Sequence, residues 1–137
     1  MATPLSLRLN DDALQRLLFQ ARVEGIPPRT LAQRMIDEGL RMESHPLIGF
    51  MNGSTGRRAW VRGTGADVWE VIDALQAQRG DVDALVESWG QPRSAVEAAV
   101  AYYGAFPDEI DARIEANRAA YEEGRAAYLA GLQRIAG

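Results

Sequence analysis

The pattern of apolar and polar positions predicts a single strand at the start of the chain. Over residues 3–10, Leu5, Leu7 and Leu9 alternate with polar side chains, which is the period of a strand with one buried face. No similar strand lies nearby, and a lone strand leaves its backbone N–H and C=O groups unpaired. We therefore expect two copies of the chain to pair these strands antiparallel, as a twofold homodimer.

Two amphipathic helices follow this strand. The first is expected to start at an N-cap, Asn10, and to end at Gly25, since apolar residues recur every three or four positions between them. The second is expected to start at a capping box of Thr30 and Gln33 and to end before Ser44. A unit of one strand and two helices is too small to bury a core unaided, which again favours a dimer.

The first 45 residues resemble a known DNA-binding fold. Ribbon-helix-helix domains of the CopG and Arc type are similar along the whole of LSLRLNDDALQRLLFQARVEGIPPRTLAQRMIDEGLRM. The resemblance implies that residues 1–45 form a DNA-binding and dimerisation domain whose ribbon reads duplex operator DNA in the major groove. It assigns base contacts to Ser6 and Arg8 and a phosphate clamp to Arg29 and Thr30. The alternatives are plain solvent exposure for the strand residues and a simple N-cap for Thr30.

Residues 46–106 are expected to form an Arg-rich arm followed by a small helical domain. The arm reads as a short strand or extended segment with glycine turns. Helices with N-caps at Asp67, Asp81 and Ser94 follow, the last with Val96, Ala99, Val100 and Tyr103 on its inner face. The second and third of these helices, joined by a Gly-containing turn, are typical of a helix-turn-helix pair.

This second region also resembles a known family. The motifs GRRAWVRGTG, DVWEVI and AVAYYGAFPDEID, in this order and with these gaps, are similar to the 433 family of domains of unknown function. The resemblance extends from His45 to Asp111. It implies a small helical domain found in antitoxin proteins, which are often encoded beside PIN-like toxins.

Charge is unevenly distributed along the chain and gives the arm two possible roles. Residues 1–66 carry nine arginines and six acids, whereas residues 67–137 carry six arginines and thirteen acids. The arm holds Arg57, Arg58 and Arg62 around Trp60. These residues either pair with the acidic helices downstream or contact a second copy, or they form a second nucleic-acid or partner contact.

Residues 107–137 are expected to form one long helix capped by Asp108. Its apolar seam repeats every seven residues and interleaves with small or polar positions: Ile114, Tyr121, Tyr128 and Ile135, then Asn117, Gly124 and Gly131. Such a helix would be roughly 40 Å long at ~1.5 Å per residue, too long for a domain this small to cover. Either a second copy covers it as a coiled coil or, as we expect from the glycines, a different protein does.

Taken with the resemblances, this seam predicts a toxin-binding surface for a PIN-like ribonuclease. The residues expected to form it are Ile114, Arg118, Tyr121, Arg125, Tyr128 and Ile135.

The composition argues against catalysis. The chain has no cysteine and one histidine, His45, which excludes thiolate nucleophiles, Cys-rich zinc sites and relays of two imidazoles. Asp108, Glu109 and Asp111 fit the first turn of a helix, where its dipole favours carboxylates. We expect no catalytic residue, metal or cofactor. No apolar run approaches the ~18 residues of a membrane span, and no signal peptide is evident, so a cytoplasmic location is expected.

These observations predict a mainly α protein with short β structure. Its expected parts are a ribbon-helix-helix dimer, a small helix-turn-helix-like domain and a long C-terminal helix. The expected function is that of a type II antitoxin, which represses its own operon and neutralises a PIN-like toxin. The alternative is a stand-alone ribbon-helix-helix transcriptional regulator with an oligomerisation or sensing domain.

Overall fold

The computed structural model describes residues 2–137 and shows helices with one small sheet. In chain order the elements are α1 (Asp11–Glu24), α2 (Pro28–Ser44), β1 (Ile48–Gly53), β2 (Gly56–Val61), α3 (Val68–Ala77), α4 (Val82–Trp89), α5 (Arg93–Ala105) and α6 (Pro107–Ala136). The predicted class, mainly α with short β, is confirmed.

The chain forms two compact units that meet in sequence between Ser44 and His45. In the first unit, α1 packs against α2, and Ala21 and Leu31 are buried. In the second unit, α6 packs on α3 and α5. Residues 107–137 therefore belong to the same compact unit as residues 46–106.

Three of the predicted helix starts are confirmed. The Asn10 side chain accepts a hydrogen bond from the Ala13 N–H at 2.8 Å, and Asp81 accepts one from Ala84 at 3.1 Å. Asp67 begins α3 in a capping box, in which its own N–H donates to Glu70 Oε1 at 2.9 Å. These side chains satisfy backbone donors that the helix itself leaves without partners.

The predicted caps at Thr30, Ser94 and Asp108 are wrong, because prolines begin these helices earlier. Pro28 and Pro107 are the first residues of α2 and α6, and Pro92 precedes α5. Proline suits the first helical position since its φ is already helical and the N–H it lacks would have no partner there. The three polar residues lie inside the first helical turn instead.

The predicted N-terminal strand is not formed in the single chain. Residues 2–10 have no regular secondary structure and are exposed. The alternating leucines are 78% (Leu5), 61% (Leu7) and 41% (Leu9) exposed. The pattern that predicts a buried strand face thus has nothing in this chain to cover it.

The arm is a β-hairpin. β1 and β2 pair antiparallel from Ile48 opposite Val61 to Gly53 opposite Gly56, with Ser54 and Thr55 as the turn. The sequence predicts one strand here, and the structure shows two. Ile48 and Val61 are fully buried, so one end of the hairpin is held in the core of the second unit.

Tyr102 lies at the centre of that core. Its side chain is fully buried, and its ring packs near those of Phe106, His45 and Phe50, with centroid distances of 4.8, 5.4 and 6.2 Å. Its hydroxyl donates to Glu109 Oε2 at 2.7 Å, which satisfies the one polar atom of the ring.

The buried face of α5 is rotated slightly about the helix axis relative to the predicted one. The buried residues of this helix are Ala95, Val96, Ala99 and Tyr102. Val100 is exposed, and Tyr103 is half-buried. Val96 and Ala99 were expected there, and both are buried.

Candidate nucleic-acid and partner interfaces

Ser6 and Arg8, the expected base-reading residues, lie exposed in the extended segment before α1. Arg8 makes no ion pair within the described residues, whereas Arg16 of α1 pairs with Asp12 at 3.1 Å. The Arg8 guanidinium is therefore available for an external anion.

Arg29 and Thr30 lie in the first turn of α2 and are exposed. The first backbone hydrogen bond of the helix runs from the Leu31 N–H to the Pro27 oxygen at 3.1 Å. Since two prolines precede Arg29, the backbone donors left over at this helix end are the N–H groups of Arg29 and Thr30. Both N–H groups lie at the positive end of the helix dipole.

The first unit leaves much of its predicted apolar stripe exposed. On α2, Leu31 is buried, but the stripe continues into Met35, Ile36 and Leu40, which are 49%, 44% and 66% exposed. Beside the stripe, Arg34 bridges α2 to α1 through Glu24 at 3.0 Å. The two helices are thus joined to each other, while a continuous apolar surface stays open.

The arginines of the hairpin are largely engaged within the chain. Arg58 pairs with Asp67 at the start of α3, Nε to Oδ1, at 3.0 Å. Arg57 donates to Asn52 across the hairpin at 3.2 Å. Asp67 is only 7% exposed, and its other oxygen accepts from the Trp69 indole at 3.2 Å. Arg58 thus forms one intramolecular pair of the kind left open by the sequence, with an acid downstream of the arm.

Trp60 lies across the neighbouring strand rather than in open solvent. It is paired with Gly49 in the hairpin, and a Cβ on Gly49 would approach the Trp60 Nε1 to 2.8 Å and the Arg62 Nε to 3.1 Å. Only glycine leaves room for this indole. The sequence contains both residues, but their pairing can be recognised only when both strands and their register are known.

Arg113 makes a contact with the hairpin that the sequence does not reveal. From α6 its guanidinium donates to the Thr55 hydroxyl at 2.7 Å, to the Thr55 carbonyl at 3.3 Å and to the Arg57 carbonyl. The hairpin turn is therefore held to α6 by one side chain. Because the partners are more than 50 residues apart, no local spacing indicates the contact.

The structure corrects the proposed surface on α6 at its first member. Ile114 is 4% exposed and part of the core of the second unit, so it does not face a partner. Arg118, the next member, is exposed and pairs with Asp73 of α3 at 3.2 Å. Beyond it, Tyr121 and Tyr128 are exposed, as is Ile135.

A shallow cleft lies between the two exposed tyrosines of α6. It is lined by Ala120, Tyr121, Gly124, Arg125, Tyr128 and Leu129. Five of the six predicted toxin-binding residues therefore lie on the exposed part of α6, namely Arg118, Tyr121, Arg125, Tyr128 and Ile135, and Ile114 does not.

The acidic residues at the start of α6 accept hydrogen bonds from tyrosines. Glu109 accepts from Tyr102, and Asp111 accepts from Tyr103 at 2.7 Å. The bond to the Asp111 carboxylate raises the pKa of Tyr103, because it stabilises the protonated phenol. Within residues 2–137, no group of three or more His, Asp or Glu side chains is arranged to hold a metal ion.

Comparisons with protein families, with curated proteins and with solved structures give no match to this chain. None of the helices in the described part of the chain is both long enough and apolar enough to cross a membrane.

Proposed function

We propose that this protein is a dimeric DNA-binding antitoxin. In this proposal the first unit binds operator DNA and represses the protein's own operon, and the exposed part of α6 binds a PIN-like ribonuclease toxin. The observation that supports DNA binding is the exposed apolar surface of the first unit, together with the alternating residues 3–10 that precede α1.

This surface needs a cover that the single chain does not supply. Leu7 in the segment and Leu40 on α2 are both more than half exposed. A second copy covers both at once if the two N-terminal segments pair antiparallel, since the leucine face then meets the helices beneath the ribbon. The same pairing provides partners for the backbone groups along one edge of residues 3–10.

In that ribbon Ser6 and Arg8 lie on the face opposite the leucines, because neighbouring residues of a strand point to opposite sides. A two-stranded ribbon fits the major groove, and an arginine can donate two hydrogen bonds to guanine. Arg29 and Thr30 supply backbone and side-chain donors for a phosphate. The first unit carries six arginines and six acids, so DNA binding depends on where the arginines lie rather than on net charge.

The DNA-binding proposal is tested by selecting preferred duplexes from a random library and measuring affinities by fluorescence anisotropy. Arg8→Ala should weaken binding to the selected duplex by about 1 to 3 kcal/mol and affect random duplex little. Arg16→Ala, on an exposed arginine of α1, is the matched control and should change neither. Equal losses on both duplexes would show that Arg8 contacts phosphate, and the absence of any selected sequence would contradict the proposal.

The dimer is tested separately with Leu7→Asp. A charge at this position is buried in the shared core of the ribbon and should prevent dimerisation. Sedimentation velocity measures the association state of the protein. Loss of binding to the selected duplex in the same protein shows whether the dimer of the first unit is affected. Ser6→Asp, on the opposite face, is the control for the added charge and should leave the ribbon intact. A Leu7→Asp protein that still binds the selected duplex would eliminate the ribbon.

The antitoxin half is tested by shortening α6. The cut is placed after Ala120, because a cut before Ile114 would remove that residue from the core. We expect the protein ending at residue 120 to bind DNA normally and to lose protection of cells that express a PIN-like toxin encoded beside its gene. Full protection by the shortened protein would contradict this role for α6. The absence of such a toxin gene would favour the stand-alone regulator.

A further inference from the structure

The exposed part of α6 has a feature that contacts within the chain do not explain. Every residue from 115 to 130 is exposed, although α6 remains helical to Ala136. Gly124 and Gly131 lie inside this helix, and a Cβ at either position would meet nothing within 4 Å. Glycine weakens a helix relative to alanine, and neither a neighbour nor a turn in this chain requires it here.

The two glycines lie on the same side of α6 as the two exposed tyrosines. Tyr121 and Tyr128 are seven residues apart, and so are Gly124 and Gly131. Large and small positions therefore alternate along one seam with the spacing of a two-helix coiled coil. The cleft between the tyrosines, over Gly124, is one of the resulting hollows.

We propose that the exposed part of α6 pairs antiparallel with α6 of a second copy, centred on Ala126. In this register Tyr121 lies opposite Gly131 of the second copy, and Tyr128 lies opposite Gly124 of the second copy. Each of these layers then combines one tyrosine with one glycine, so the two helices stay evenly spaced there. A parallel pair would place tyrosine on tyrosine and glycine on glycine, which gives alternating crowded and empty layers.

The length of the exposed segment agrees independently with this register. Residues 115–136 follow Ile114, the last residue of α6 in the hydrophobic core, and their midpoint falls between Arg125 and Ala126. An antiparallel pair centred there covers the exposed segment from end to end, and brings Ile135 opposite Asn117 of the second copy. The segment carries three arginines and three glutamates, so its formal net charge is zero.

This pairing is a property of the free protein and does not depend on the proposed function. A toxin that binds the same seam would have to displace the second copy. The experiment therefore uses the full chain without DNA or toxin, and its failure would leave the DNA-binding proposal standing.

The test measures distances between copies by electron spin resonance. Because the chain has no cysteine, a single cysteine can carry the label in each of three proteins: Ala119→Cys, Ala126→Cys and Gln133→Cys. These positions lie seven residues apart on the side of α6 away from the seam. Antiparallel pairing centred on Ala126 predicts the shortest distance at position 126. It predicts equal, longer distances at 119 and 133, with an axial component of about 21 Å from a rise of ~1.5 Å per residue.

The substitution Gly124→Leu should prevent the pairing of the two α6 helices. Leucine fills the hollow that a tyrosine of the second copy enters, yet it favours the helix, so circular dichroism should show no loss of helix. The short distance at position 126 should disappear in this protein. Ala130→Leu, which lies outside the seam, is the control and should leave it unchanged. Three equal distances, no measurable distance, or insensitivity to Gly124→Leu would each overturn the proposal.

Discussion

Two isoleucines of α6, Ile114 and Ile135, belong to the same seven-residue repeat but should respond oppositely to the same substitution. Ile114 is 4% exposed within the core of the second unit, and Ile135 is 84% exposed near the end of the helix. Ile114→Ala removes about three buried carbon atoms at about 0.8 kcal/mol each, and the cavity left behind adds to this loss. We expect a decrease of about 2 to 4 kcal/mol in the free energy of unfolding.

Ile135→Ala should change this free energy by less than about 0.5 kcal/mol, because no buried contact within the chain is removed. Urea unfolding followed by tryptophan fluorescence isolates the second unit, since Trp60, Trp69 and Trp89 all lie there. Measurements at several protein concentrations separate intrinsic stability from any contribution of association. Equal losses for both variants at the lowest concentration would refute the assignment of Ile114 to the core and of Ile135 to the exposed seam.

Three further substitutions test contacts of the second unit. Arg113→Ala removes the side chain that holds the hairpin turn, so amide hydrogen exchange at residues 53–57 should accelerate while α3 stays protected. Tyr102→Phe keeps the buried ring but removes the hydroxyl that donates to Glu109, and should lower the free energy of unfolding by about 1 kcal/mol in the same urea assay. Asp111→Asn should lower the raised pKa of Tyr103 in an absorbance titration of the phenols. Since that pKa is raised in the folded protein, its stabilising effect is complete below the ordinary pKa of tyrosine and disappears as pH rises through the raised value; an unchanged titration would exclude the Asp111 contact as its cause.

Local side-chain chemistry predicts helix ends well where a polar cap competes with nothing else. Asn10, Asp67 and Asp81 begin helices as expected because each is followed directly by residues that can continue the helix. Thr30 and Asp108 are equally good caps in isolation. A proline one or two residues earlier displaces them, since it fixes the helical φ before the polar residue is reached.

Long-range contacts explain most of what the sequence could not predict. The partner of β2 is β1, and the register that places Gly49 under Trp60 follows from the hairpin turn rather than from either strand alone. The contact of Arg113 with the hairpin depends on where α6 packs, and the seven-residue repeat that includes Ile114 carries no sign that its first member is buried. The arginines of the arm were identified from the sequence, but the buried carboxylate partner of Arg58, Asp67, is known only from the fold.

The structure also changes where the functional boundary in the C-terminal region lies. A boundary at residue 107 assigns all of α6 to a partner, yet its first turns complete the core of the second unit through Ile110 and Ile114. The last contact with this core region is the ion pair of Arg118 with Asp73. Because α6 continues from there as one helix to Ala136, its exposed part has a fixed direction relative to the second unit rather than hanging from a flexible linker. A partner that docks on the seam would therefore be held in one orientation. We expect a glycine or proline insertion after Arg118 to weaken docking of the proposed toxin or second copy without reducing the stability of the second unit.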